Sequence, residues 1–116
     1  MYPLSIPMVN CMKTTDFNNI KLAGVTQGEA QQVIEQIVKG SGVEDFTLVR
    51  EPSNPHDPHA VKVECCDMYI GYIPQIMSKE VADMMDNGHN LAGRLNRINS
   101  SPYHATLGLT IDIVAV

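Results

Sequence analysis

The stretch LVREPSNPHDPHAVKV, Leu48 to Val63, concentrates polar side chains between regularly spaced prolines. Pro52, Pro55 and Pro58 each fix their own φ, and each biases the preceding residue towards an extended backbone. The loop is therefore stiff before a ligand arrives, which lowers the entropic cost of binding. We predict that it holds polar groups, in particular the carboxylate of Asp57, in fixed positions for recognition.

The same stretch also invites a metal interpretation. His56 and His59 lie three residues apart, and Cys65 and Cys66 follow, so imidazole and thiol ligands for zinc are present. Two adjacent cysteines rarely bind one ion together, and a strand starting near His59 would turn the two imidazoles apart. We therefore predict no metal and no cofactor. The chain also lacks a G-x-S-x-G elbow, which argues against a hydrolase, and a Walker motif, so we predict no motor.

The composition is typical of one globular domain in a reducing compartment. The 116 residues are 44% hydrophobic and 18% charged, with a formal charge of −5. This acidic balance argues against a broad, non-specific nucleic-acid surface, which needs a basic face. Three cysteines, two of them adjacent, make a poor disulfide framework and favour a cytoplasmic location. No segment is typical of a membrane span or a secretory signal, so we expect no membrane partner.

Hydrophobic periodicity predicts the order strand, helix, three strands, helix, two strands. The helical segments are GEAQQVIEQIVKGSG and PQIMSKEVADMMDNG, the second with Pro74 at its start and Gly88 at its end. The strand segments are NIKLAGVT, EDFTLVRE, AVKVECC, MYIGYI, NLAGRLNRI and ATLGLTIDIVAV, the last two joined by a Ser-Ser-Pro turn. Six short strands more often curl into a small barrel than form a flat sheet.

Local patterns add three further expectations. A tight hairpin should form about Cys66 to Met68, with one of Cys65 and Cys66 facing the core and the other solvent. Gly71 should mark a bulge or a close backbone approach. The methionines of the second helix are most simply core filling, although an exposed patch would be a protein-binding surface; they are Met77, Met84 and Met85.

These motifs, taken together, resemble the HIRAN domain family. The pattern R-x-P-x-N-P-x-D-x-x-A-V runs from Arg50 to Val61, and G-Y-x-P runs from Gly71 to Pro74, in the family's order and spacing. LAGVTQGEAQQVIEQI is similar to the family's opening strand and helix. The resemblance implies a mainly β, α+β fold, a small six-stranded OB/SH3-like barrel with two short helices. It covers residues 20–116 and leaves residues 1–19 as an N-terminal extension or edge strand.

The resemblance implies binding of single-stranded DNA, especially free 3′ ends, beside the N-P-H-D loop, in DNA repair and without catalysis. A repair or replication protein is a second expected partner. The DNA-binding residues that we predict are Arg50, Ser53, Asn54, His56, Asp57, Tyr72 and Gln75. Relatives usually carry an aromatic residue at position 56, and a basic and an aromatic residue at the positions of Thr26 and Gln27. These replacements and the charge of −5 keep open the alternative of a protein-interaction domain with little or no DNA binding.

Asp57 has the most specific expected role. A carboxylate repels a phosphodiester but accepts a hydrogen bond from a terminal 3′-hydroxyl, and its charge strengthens that bond. The same charge would disfavour a terminal phosphate. The structural alternative is that Asn54 and Asp57 only bond nearby backbone amides in Asx-type turns.

Other predicted site residues also have two interpretations each. Arg50 either reaches a phosphate or pairs with Glu51 or Asp57 to brace the loop. Tyr72 either flanks the pocket or is a half-buried barrel residue with a solvated hydroxyl. His56 can stack on a base, in which case affinity should change between about pH 5.5 and 7.5. Four further cations either contact phosphates or are solvated surface residues: Lys62, Lys79, Arg94 and Arg97.

Overall fold

Six strands and two helices follow one another in the predicted order. The computed structural model describes residues 17–40, 42, 44–101 and 104–116. The strands are β1 (Ile20–Lys21), β2 (Asp45–Glu51), β3 (Ala60–Cys65), β4 (Met68–Tyr72), β5 (Leu91–Ser101) and β6 (His104–Ala115), and the helices are α1 (Ala30–Val38) and α2 (Gln75–Asp86). Residues 1–16 of the predicted extension, and Pro102 and Tyr103 at the predicted Ser-Ser-Pro turn, lie outside the described residues.

The strands form one antiparallel sheet that curls until its two edges meet. The sheet order is β1-β6-β5-β2-β3-β4, so β1 and β4 are its edges. Beyond β1 the chain crosses to β4, where the Ala23 N–H donates to the Tyr72 carbonyl at 2.9 Å and the Tyr72 N–H donates to the Ala23 carbonyl at 2.8 Å. This bridge joins the edges, and the predicted mainly β, barrel-like fold with two helices is confirmed.

Residues 17–19 already contact the sheet. Phe17 is buried, and its carbonyl accepts a hydrogen bond from the Ile113 N–H at 3.0 Å. The Asn19 N–H donates to Asp112 Oδ1 at 2.9 Å. The described chain therefore packs along β6 before β1 begins, while the predicted domain boundary between residues 19 and 20 stays a prediction.

The β3–β4 hairpin has the predicted tight turn. Its two central residues, Cys66 and Asp67, have φ values of 54° and 67°, as a two-residue type I′ turn requires. Cys65 is buried and Cys66 is exposed, as expected. The register shifts between Val63 and Glu64, opposite Gly71, so the expected bulge is present.

The helices cover the ends of the curled sheet. α1 buries one apolar stripe, consisting of Ala30, Val33, Ile34 and Ile37, against β4 and β6. α2 packs on β3 and is preceded by Pro74, and Gly88 follows its C-cap with a φ of 93°. The three methionines of α2 are partly buried against the core, which confirms the core-filling interpretation. Neither described helix is long and apolar enough to cross a membrane.

Candidate functional site

An open cleft of about 440 Å³ lies between the proline loop (residues 52–59), the segment 23–27 and the start of α2. It is lined by Ala23, Gly24, Gln27, Asn54, His56, Asp57, Ala60, Tyr72, Ile73 and Gln75. Five of the seven predicted site residues are in this lining, and Arg50 and Ser53 are not. Among the residues that the structure describes, no Lys or Arg side chain lines the cleft. The fold thus brings amide, imidazole, carboxylate and phenol groups around one concave surface of low positive charge.

Asn54 organises the proline loop from within. Its Oδ1 accepts hydrogen bonds from the backbone N–H groups of His56 at 2.8 Å and Asp57 at 3.2 Å. Its Nδ2 donates to Glu51 Oε1 at 3.1 Å. The expected Asx-type turn is therefore present, and it fixes the backbone that carries His56 and Asp57.

Asp57 is held at both carboxylate oxygens. Oδ1 accepts from the His59 N–H at 2.8 Å, and Oδ2 accepts from Ser78 Oγ at 2.8 Å. The backbone hydrogen bond from His59, followed by that from Ser78, holds the pKa of Asp57 below its ordinary value, so the group is an anion at neutral pH. A carboxylate offers about four lone-pair positions, so each oxygen can accept another bond. Asp57 is thus both a loop brace and a fixed acceptor that lines the cleft.

Tyr72 joins β4 to the start of the loop. Its hydroxyl donates to Glu51 Oε1 at 2.6 Å. This bond raises the pKa of Tyr72 to about 12 and is the main cause of the lowered pKa of Glu51. The ring is half-buried, lines the cleft and packs at a tilt on Tyr69 with ring centroids 5.5 Å apart. Tyr72 thus both flanks the cleft and is a half-buried barrel residue, as the two interpretations expected. Its hydroxyl, however, donates to the Glu51 carboxylate and is not simply solvated.

Arg50 braces the loop, with a partner that differs from those expected. Its Nε and Nη2 donate to the two carboxylate oxygens of Asp86 at 3.0 and 3.1 Å. Its Nη1 donates to the carbonyls of Pro58 and Ala60, each at 3.1 Å. The expected pairing with Glu51 or Asp57 is wrong, because α2 places Asp86 beside the guanidinium.

Ser53 lines a second, open concavity of the proline loop and not the cleft. The other residues of this lining are Glu51, Pro52, Asn54, Pro55 and Tyr72. Asn54 and Tyr72 line both concavities, so the two are neighbours. The structure therefore places Ser53 next to the cleft and Asp57 within its lining.

The four other candidate cations have partners on the surface outside the cleft. Lys62 lies between Glu64 at 3.0 Å and Glu51 at 3.5 Å. Lys79 pairs with Asp83 at 2.9 Å, Arg94 pairs with Asp45 at 3.6 Å, and Arg97 donates to Asn19 at 3.5 Å. Surface ion pairs of this kind contribute little to stability, and they reduce the positive charge that Lys62, Lys79 and Arg94 offer to a phosphate. Asn19 is neutral, so the charge of Arg97 is not reduced by its partner.

The comparison with protein families decides what the fold and the motifs belong to. The profile of the HIRAN domain matches residues 18–115. The chain belongs to the HIRAN domain family. This is a family of DNA-binding domains. The match includes the loop, the cleft and both helices.

Among curated proteins, this HIRAN domain is similar to a Fanconi-associated nuclease 1 homolog from rice, Oryza sativa subsp. japonica. The two are 29% identical over 90 residues, which cover 65% of this chain and 9% of the rice protein. The chain thus spans under a tenth of the length of that relative.

Two solved structures share the fold. A protein from Lactobacillus plantarum has a TM-score of 0.61 at 20% identity, covering 83% of this chain and 91% of its own. The HIRAN domain of human HLTF has a TM-score of 0.55 at 20% identity, covering 80% of this chain and 72% of its own. At this level of identity the likeness establishes the fold.

Ser78 and Gly24 are among the residues that shape the cleft of this HIRAN domain and that were not predicted as site residues. Ser78 is 1% exposed and donates to Asp57; its signal in the sequence is a polar residue on the otherwise apolar face of α2. Gly24, with a φ of 68°, accepts a hydrogen bond from the Tyr69 hydroxyl, and a Cβ there would lie 2.6 Å from that oxygen. Glycine is favoured at this position because its φ is strained for a residue with a side chain and because a Cβ would displace the Tyr69 hydroxyl.

The two histidines of the proline loop lie near Asp57 but do not form a metal site with other ligands in the described residues. His59 Nδ1 is 3.7 Å from Asp57 Oδ1, and His56 lines the cleft. Within the part of the chain that the structure describes, no three His, Cys, Asp or Glu side chains are grouped as a metal site requires.

Proposed function

We propose that this HIRAN domain binds the free 3′-hydroxyl end of an unpaired DNA strand in the cleft, without catalysing a reaction on it. The observation that supports this is the position of Asp57, a fixed anionic acceptor beside the ring of Tyr72 in an open cleft without Lys or Arg in its lining. The terminal hydroxyl donates to Asp57, and the terminal base stacks on Tyr72 or His56.

The remaining predicted residues take different parts in this proposal. Gln75, at the start of α2, lines the cleft and offers its amide to the strand end. Ser53 contacts the strand from the neighbouring concavity of the loop. Arg50 acts indirectly, because its guanidinium is occupied by Asp86 and two loop carbonyls. Preorganisation by Arg50 and Asn54 lowers the cost of ordering the loop around the strand.

An acidic protein gains selectivity from this arrangement. A strand interior or a phosphorylated end brings negative charge towards Asp57 with no lining Lys or Arg to compensate. A hydroxyl end brings a donor instead. We expect a preference of roughly tenfold or more for the 3′-hydroxyl over the 3′-phosphate, the scale of one charge-assisted hydrogen bond gained or lost.

Fluorescence anisotropy with two labelled strands of identical sequence, one ending in 3′-hydroxyl and one in 3′-phosphate, tests this proposal. The Asp57→Asn variant keeps an oxygen for the His59 N–H and removes the charge, so the preference should fall towards one. Asp67→Asn is the matched control, because Asp67 is exposed in the β3–β4 turn and does not line the cleft. If parent and Asp57→Asn discriminate the two ends equally, the proposal is wrong.

A second candidate is a protein-interaction domain on the same barrel. It is favoured by the formal charge of −5 and by a cleft lining that, in the described part of the chain, contains no Lys or Arg. Equal, weak binding of both strands, unaffected by Asp57→Asn, would support it.

For either function we propose a cytoplasmic protein acting in DNA repair. This rests on the likeness to a Fanconi-associated nuclease homologue and on Cys65 and Cys66 being free thiols.

A further inference from the structure

We propose that Cys65, Cys66 and Met68 form a sulfur-donor site for a soft monovalent cation, of which Cu(I) is the biological example. The three side chains line one groove of about 270 Å³ between α1 and the β3–β4 turn. The groove shares no lining residue with the cleft beside the proline loop. The proposal is therefore independent of DNA binding.

The geometry of the hairpin explains why three sulfur-containing residues line one groove. Cys65 and Met68 are directly paired across β3 and β4, so their side chains leave the same face with Cβ atoms about 4.5–5.5 Å apart. In a regular strand the next residue, Cys66, would point to the opposite face. Its left-handed backbone, with a φ of 54°, instead turns it into the lining shared with Cys65.

The donor set selects the kind of cation. Thiolates and thioethers are soft ligands, which favour Cu(I) over hard cations such as Mg²⁺ and Ca²⁺. The rest of the lining is Gln32, Val33, Gln36 and Ile37, with no imidazole and no carboxylate. A structural zinc site needs four nitrogen, sulfur or oxygen ligands, so three sulfurs suit a cation that accepts low coordination numbers. The aliphatic side chains of Val33 and Ile37 in this lining limit access of water to the cation.

The exposure of Met68 and Cys66 provides a path into the groove. Met68 is 43% exposed, one of the few large apolar side chains in the described residues that is not covered by the core. Cys66 is exposed, whereas Cys65 is buried at the base. Both are free thiols. Each thiol that binds the cation exchanges its proton for the metal, so that a sulfur–metal bond forms as a sulfur–hydrogen bond breaks and a proton is released.

The test uses the full chain with Cys11→Ser, so that the third cysteine cannot contribute a thiol. Under anaerobic conditions, Ag(I) serves as a redox-inert probe, and NMR follows the methionine methyl groups. We expect about one equivalent to bind and to shift the Met68 methyl resonance but not that of Met84, a thioether of α2 outside the groove. Ag(I) bound without a shift at Met68 would overturn the proposal.

Affinity measurements provide a second, independent readout. The affinity for Cu(I) is measured in competition against a chromogenic chelator. Cys66→Ser should weaken binding about 100-fold and Met68→Leu about tenfold. Loss of residues that only support the ligands of a metal site already weakens binding on this scale. Met84→Leu is the matched control and should change nothing. Cys66 and Met68 are exposed, so their variants should fold, which circular dichroism checks. Cys66→Ser with the parent's affinity would refute the site.

Discussion

Arg50 at the end of β2 and Asp86 at the end of α2 form a two-point ion pair, with Nε–Oδ1 and Nη2–Oδ2 distances of 3.0 and 3.1 Å. The remaining nitrogen, Nη1, donates to the carbonyls of Pro58 and Ala60. One guanidinium thereby connects the second helix to the C-terminal end of the proline loop. The planar fork of arginine makes this combination possible, because it directs its donors in fixed directions.

Arg50→Lys should therefore lower thermal stability, by roughly 5 °C in the midpoint of unfolding. A single ammonium cannot serve both Asp86 oxygens and both carbonyls. Arg94→Lys is the matched control, because the Arg94–Asp45 pair is largely exposed and a change there should be close to neutral. Thermal unfolding followed by circular dichroism measures both variants.

The salt dependence of DNA binding separates bracing from phosphate contact at the same position. If Arg50 only braces the loop, Arg50→Lys and Arg50→Ala weaken binding with an unchanged slope of log affinity against log salt. A slope reduced by about one in Arg50→Ala would mean that Arg50 contacts a phosphate, contrary to the structure-based role.

The order of the elements was predictable because it depends on local patterns. The apolar stripe of α1 and the Pro74 and Gly88 boundaries of α2 lie within their own segments. The first strand is shorter than predicted. The apolar alternation of Ile20 and Leu22 continues up to the point where the chain leaves β6, and from Ala23 it pairs with β4 instead. Alternation alone cannot show which strand a segment pairs with.

The candidate site was predictable to the extent that it is local. The turn held by Asn54 uses residues within three positions, and prolines with Asx residues indicate such a turn. The partners of Arg50 and Asp57 on α2 lie 36 and 21 residues away. They depend on how α2 docks onto β3, which no local pattern encodes.

Gly71→Ala should destabilise the fold by about 1–3 kcal/mol. A Cβ at this position would lie 2.9 Å from the Ala23 carbonyl oxygen and 3.2 Å from Leu22 Cβ, where the two sheet edges meet. Gly108→Ala is the control, since the nearest contact of its Cβ is an ordinary 3.5 Å to Asn99. Urea unfolding compares the two; equal midpoints would mean that the bridge at Ala23 tolerates displacement.

Tyr72→Phe should lower the free energy of unfolding by about 1 kcal/mol at pH 7, because it removes the hydrogen bond to Glu51. In the folded state this bond raises the pKa of Tyr72 from 10.0 to about 12 and lowers that of Glu51 from 4.5. The hydrogen bond therefore contributes its full stabilisation between pH 4.5 and pH 10.0, the ordinary pKa values of Glu51 and Tyr72. It is lost as the pH rises from about 10 towards 12, and as it falls below about 4.5.

Urea unfolding at several pH values measures this window. The stability difference between parent and Tyr72→Phe should shrink at both ends of the range. Tyr69→Phe is the comparison, because the Tyr69 hydroxyl donates to the Gly24 carbonyl and not to a carboxylate. Its difference from the parent should stay constant in the acid limb. A Tyr72→Phe difference that is constant from pH 7 down to about pH 3.5 would contradict a bond to ionised Glu51.

His56→Ala should weaken the binding of a single strand about fivefold or more, because His56 lines the cleft and its ring offers a face on which a base can stack. Anisotropy titrations of the parent and of His56→Ala at one fixed pH measure the effect. His89→Ala, exposed in the turn after α2 and outside the cleft lining, is the control and should bind as the parent does. An unchanged affinity in His56→Ala would show that His56 makes no contact with the bound strand.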